Sequence, residues 1–152
     1  MTELERGLRD GDGKTHTVRE LRARVSLLEP RIIAMRELNS GAPATLDTMG
    51  EVIRELSEEL NEYCIVVDLT EARGSITSEY RRYIPEFFDK LYARPQRLRH
   101  IGLVFHANPV VRVVTKFMVA RITKIPFSIY KSTPLALEGL RAELRTFEAT
   151  ST

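Results

Sequence analysis

The chain has 152 residues, 43% hydrophobic and 29% charged, with a net charge of +2. That length suffices for one domain with its own core, and the composition is ordinary for a globular chain. The near-neutral total excludes a polyelectrolyte. The apolar runs are far shorter than the ~20 residues of a spanning helix. The single cysteine excludes an intrachain disulfide framework and a cysteine-rich zinc site.

The opening MTELERGLRDGDGK is polar and lacks the apolar segment of a signal peptide, so a cytoplasmic location is expected. With Gly7, Gly11 and Gly13 among charges, residues 1–14 read as a flexible lead. Residues 15–148 read as one domain, and 149–152 as a frayed end. Between Thr15 and Leu38 a strand pair is expected. Leu21, Ala23, Val25 and Leu27 alternate with Arg22, Arg24 and Ser26, Pro30 breaks the run, and Arg31 to Arg36 resumes it. Val18, Leu21, Val25 and Leu28 fit a helix as well, so a helical alternative stays open.

A helix is expected from about Leu46 to Glu62, with Leu46, Met49, Ile53, Leu56 and Leu60 as its apolar stripe and Thr48 with Glu51 as a capping box. Tyr63 to Thr70 reads as a buried strand. Thr77 to about Ala93 reads as a helix with Tyr80, Ile84, Phe87, Phe88 and Leu91 on one face, kinked or restarted at Pro85. A buried strand at Arg99–Phe105, a helix from Pro109 to about Lys124 and a short strand at Phe127–Lys131 follow. Thr133-Pro134 then opens a last helix lined by Leu137, Leu140, Leu144 and Phe147. The predicted order is β-β-α-β-α-β-α-β-α: one α/β domain with a mixed sheet of about five strands.

In such a sheet, ligands gather at the carboxyl ends of the strands. That singles out Asp68 and Thr70 after the strand Cys64-Ile65-Val66-Val67, Thr77 and Ser78 at the next helix, and His106 and Asn108 after the following strand. Asp68 with His106 is a candidate general-base pair, although no nucleophile motif accompanies them. The plainer reading is that Asp68 accepts loop N–H groups and Asn108 caps a helix. His16, His100 and His106 lack ligand spacing, so no metal and no cofactor are expected.

Charge is segregated. Lys90 to Leu137 contains no acidic residue, whereas Asp47, Glu51, Glu55, Glu58, Glu59 and Glu62 crowd the first long helix. On the Pro109–Lys124 helix, Arg112, Lys116, Arg121 and Lys124 accompany a broad apolar arc. That face suits a protein partner, a second copy of the chain or an anionic lipid surface, and equally a buried helix. Nucleic acid is not expected, since no recognised binding module goes with the basic residues.

The strand Ile65-Val66-Val67-Asp68-Leu69, the proline-containing aromatic helix, the strand Ile101-Gly102-Leu103-Val104-Phe105, the apolar helix Val110–Ile122 and the ending Phe127–Leu140 together resemble the STAS superfamily. The likeness is greatest to its SpoIIAA-like (STAS/Sec14-like) branch. It covers roughly residues 15–148. It implies a non-enzymatic regulatory or interaction domain working through protein contacts. The alternatives are a lipid-binding or membrane-surface module, and an unrecognised enzyme with a strand-end Asp/His site. The family's phosphorylated members carry Asp-Ser-Ser-Gly where this chain has Ile76-Thr77-Ser78-Glu79. The hydroxyls are kept, but the Asp and Gly of the switch are not.

Overall fold

The computed structural model describes residues 2–73, 76–105 and 124–151. The chain starts with a 3-10 turn, Glu3–Glu5, and an antiparallel hairpin of β1 (Gly7–Arg9) and β2 (Thr15–Thr17). The loop between them, Asp10-Gly11-Asp12-Gly13-Lys14, is built for the turn. Gly13 takes φ 82°, where a side chain would be strained. The Asp10 carboxylate accepts the amides of Asp12 at 2.9 Å and Lys14 at 3.0 Å. The segment expected as a flexible lead therefore carries regular structure.

A second difference follows at once. The expected first strand is a short helix as far as Arg22, α1 (Val18–Arg22), because a capping box redirects the backbone. The Thr17 hydroxyl accepts the Glu20 N–H at 3.1 Å, and the Glu20 carboxylate accepts the Thr17 N–H at 3.4 Å. The helical alternative for Val18 and Leu21 is right at this point, and both residues are buried. Strand character begins at β3 (Val25–Glu29), which forms a hairpin with β4 (Ile32–Arg36) and is bulged between Leu27 and Glu29.

Helix α2 (Pro43–Ser57) starts and ends earlier than expected. Pro43 suits a first turn that needs no N–H. The Thr45 hydroxyl accepts the Ala42 N–H at 3.0 Å. Thr48 is no cap: it donates back to the Ala44 carbonyl at 3.0 Å. Strand β5 (Glu62–Asp68) starts one residue before the expected strand and ends two residues before it. Helix α3 (Ser78–Tyr92) is capped by Thr77 and is one continuous helix with Pro85 inside it, so it does not restart there. Strands β6 (Arg97–Val104) and β7 (Phe127–Tyr130) precede α4 (Thr133–Ser151). The cap of α4 is Ser132, one residue before the expected Thr133; its hydroxyl accepts the Leu135 N–H at 3.3 Å. The helix expected over Pro109–Lys124 lies outside the described residues apart from its last residue, Lys124.

The main sheet has the order β3-β4-β5-β6-β7. The β3–β4 pair is antiparallel and the remaining pairs are parallel, so the α/β class with a mixed five-stranded sheet is as predicted. Alternation sorts the strands into two faces. Ile33, Met35, Ile65, Val67, Ile101 and Leu103 pack with Met49 and Ile53 of α2 and Phe87 and Leu91 of α3. Ile32, Cys64, Val66 and Val104 pack with Ala136, Leu140 and Leu144 of α4. Both faces are apolar, which explains why β5 reads as a continuous hydrophobic run. Helices α2 and α3 meet closely, and a Cβ on Gly50 would strike the Phe87 ring.

The acidic helix is neutralised partly within the fold. Arg22 pairs with Glu55 at 2.5 Å, and Arg31 pairs at 2.8 Å with Glu62, a β5 carboxylate that Arg99 also approaches at 3.9 Å. Among the described residues, no helix is long and apolar enough to cross a membrane.

Candidate functional site

Parallel pairing of β4 to β7 brings their carboxyl ends to one edge of the sheet. There the segment after β4 (37–42) and the segment after β5 (69–73) lie side by side, and the N-terminal hairpin folds over them. Gly11 N–H donates to the Ser40 carbonyl at 3.0 Å. The side chain of Asn39 ties the three segments together: its Nδ2 donates to Asp12 Oδ2 and its Oδ1 accepts the Arg73 N–H, each at 3.3 Å. The result is a cleft of about 400 Å³, within the size range of small-molecule sites. The hairpin supplies Asp10, Asp12, Lys14 and His16 to one wall, and the segment after β5 supplies Thr70, Glu71 and Arg73 to the other. Arg24, Leu38 and Asn39 complete the lining.

One acid–imidazole contact and one ion pair organise its lining. His16 Nε2 lies 2.7 Å from Asp10 Oδ2, with the side chains 12% and 4% exposed. Burial alone would raise the Asp10 carboxyl. Hydrogen bonds from His16 and from the Lys14 and Asp12 amides outweigh it and leave the group below its usual value. Arg24 donates to Glu71 Oε2 at 3.0 Å and to the carbonyls of Arg36 at 3.3 Å and Glu37 at 3.4 Å. It thereby holds the segment after β5 against the end of β4.

Behind the cleft is a buried acid. Glu37 follows β4 directly; its Oε1 accepts the Leu38 N–H at 2.8 Å and its Oε2 meets the Tyr80 hydroxyl of α3. Burial pushes the Glu37 carboxyl up, against the lowering by Tyr80, by the Leu38 amide and by the Arg24 charge. Burial and the neighbouring carboxyl push the Tyr80 hydroxyl well up. This pair joins the end of β4 to the first turn of α3.

Of the residues singled out from sequence, Asp68 shapes the loop rather than facing a substrate. Its carboxylate accepts the Thr70 N–H at 2.9 Å, and its carbonyl accepts the Glu37 N–H at 2.9 Å. Thr70 lines the cleft. The Thr77 hydroxyl is occupied as a cap, accepting the Tyr80 N–H at 3.1 Å, and Ser78 is an exposed first helical residue. His106, Asn108, Arg112, Lys116 and Arg121 lie outside the described residues, so the Asp68–His106 pair has no geometry to report. Lys124 is exposed at the amino end of β6, in a separate recess with Arg97, Arg99, His100 and Glu143. Thus Thr70 belongs to the cleft and Asp68 shapes its wall, whereas Lys124 is at the opposite end of the sheet.

Sequence reasoning did not single out Asp10, Arg24, Glu37 or Asn39 for a site; it weighed His16 only as a metal ligand and Tyr80 only as part of an apolar helix face. One signal was present: Asp-Gly pairs between short strand-like runs mark a hairpin. Among the described residues, no cluster of three or more His, Cys, Asp and Glu side chains could hold a metal ion. No protein-family profile, curated protein or solved structure matches the chain.

Proposed function

We propose that this chain is a regulatory interaction domain of STAS-like type, which acts through protein contacts made at the carboxyl edge of its sheet. The observation that carries the reading is the charged cleft after β4 and β5, with the hairpin loop and the segment after β5 as its exposed walls. The element order and the mixed five-stranded sheet support the family resemblance. The side chains that hold the cleft, Asp10–His16, Arg24–Glu71 and Asn39, bond to one another and to backbone, as a scaffold for a recognition surface does. A photo-crosslinking side chain placed at Thr70 tests this, with Glu59 near the other end of the sheet as control. Crosslinks to a saturable protein partner at position 70 and none at 59 are expected. Equal labelling at both would refute the contact face.

A second reading, self-association, is favoured by one feature. β3 is an outer strand of the sheet and displays Leu27 and Leu28, 44% and 42% exposed. Light scattering of the purified chain and of its Leu27→Lys variant distinguishes a dimer built on this edge from a monomer.

A further inference from the structure

We infer that the strand-end cleft binds a small hydroxylated anion, phosphate- or carboxylate-bearing, between Lys14 and Arg73. The inference rests on reading this edge as the functional face, and it adds the chemistry of a ligand. The charges lining the cleft are not equally engaged. Asp10 is matched by His16 at 2.7 Å and Glu71 by Arg24 at 3.0 Å. With Asp10 and Glu71 so engaged, Asp12, Lys14 and Arg73 remain. Asp12 accepts from Asn39 at 3.3 Å. Among the described residues, neither the Lys14 ammonium nor the Arg73 guanidinium has an ion-pair or hydrogen-bond partner.

Two free cations and one carboxylate thus stand at one opening. An anionic headgroup matches the cations, because charge-assisted hydrogen bonds from Lys and Arg are the strong ones. A hydroxyl on the same ligand matches Asp12, an acceptor with capacity to spare. Thr70 adds a hydroxyl to the wall that carries Arg73. The volume of about 400 Å³ suits a ligand of metabolite size. The carboxyl ends of parallel strands are where open α/β sheets hold such ligands. Arg73 is fixed through its backbone to Asn39, and Lys14 through its amide to Asp10, so the two cations approach the cleft from anchored main chain.

The test is amide NMR of the labelled chain titrated separately with glycerol 3-phosphate and with malate, and with glycerol as the uncharged control. Saturable shifts at Lys14, Asn39, Thr70 and Arg73 with either anion are expected, and none with glycerol. The Lys14→Ala/Arg73→Ala double variant should weaken that binding at least roughly tenfold. Both side chains are exposed, so the variant should keep the parent spectrum elsewhere. A response to one anion alone assigns the headgroup. No saturable shift up to about 10 mM, well above a 1 mM dissociation constant, would overturn the inference. So would affinity unchanged in the double variant. Partner crosslinking at Thr70 without any anion response would remove this ligand and leave the contact face standing.

Discussion

Glu37→Ala and Glu37→Gln should part company sharply. The carboxyl of Glu37 is buried, and it satisfies two other buried groups, the Leu38 N–H at 2.8 Å and the Tyr80 hydroxyl. Alanine strips the partner from both. A stranded buried polar group costs about 1–3 kcal/mol, so Glu37→Ala should lose roughly 2–5 kcal/mol. Glutamine keeps an oxygen for Leu38 and offers an N–H to the Tyr80 oxygen, so it should lose far less. The pH dependence gives an independent check. Burial raises the Glu37 carboxyl in the fold above its ordinary 4.5. Its stabilisation is therefore full below about pH 4.5 and declines as pH rises through the folded value. Glutamine does not titrate, so the variant should gain on the parent as pH rises above 4.5. Urea unfolding of the parent and both variants from pH 4 to 8 measures this. A Glu37→Ala loss below about 0.5 kcal/mol, or a parent-to-glutamine difference that does not change with pH, would refute the buried Glu–Tyr pair.

Asp10 has the opposite sign. Its carboxyl is held below its ordinary 3.8, so its contribution is present above that pH and lost as pH falls through the folded value. Asp10→Ala should cost about 1–3 kcal/mol at pH 7 and less at pH 2, read by denaturant unfolding. Gly50→Ala sets two effects against each other: helix propensity favours it by about 1 kcal/mol, while a Cβ there strikes Phe87. Overpacking costs about 1–3 kcal/mol, so a net loss is expected, and a gain in melting temperature would contradict the close α2–α3 contact. The Cys64 thiol is buried and pushed up to about 12. Ellman's reagent should react with it slowly in the native chain and rapidly in denaturant; fast native labelling at pH 8 would contradict its place under α4.

The sheet was legible because its physics is local. β5 and β6 are buried on both faces, so each reads as an apolar run, and β3 and β4 are joined at a proline. Thr77 was legible as a boundary because capping depends on its nearest neighbours. The start of the chain was harder. Leu21 and Val25 fit both periods, and the Thr17–Glu20 capping box decided for helix as far as Arg22. The cleft was least legible, since it is made by contacts remote in sequence. Asn39 reaches Asp12 and Arg73, and Arg24 reaches Glu71. Nothing in the period of a strand announces those meetings. Asp68 shows the converse: its place at a strand end and its acceptance of a loop N–H were both legible, because both depend on near neighbours in the chain.

The most direct test of the carboxyl edge as the working face is affinity capture from an extract of the cells that make this chain, quantified by mass spectrometry. Three baits are compared: the parent chain, the Lys14→Glu/Arg73→Glu cleft variant, and a Glu59→Lys variant near the opposite end of the sheet. A working face at the cleft predicts one or more partners whose recovery falls at least roughly tenfold with the cleft variant, about 1.4 kcal/mol of binding, and is unchanged with Glu59→Lys. Partners recovered equally by the parent and the cleft variant, and lost with Glu59→Lys, would contradict it.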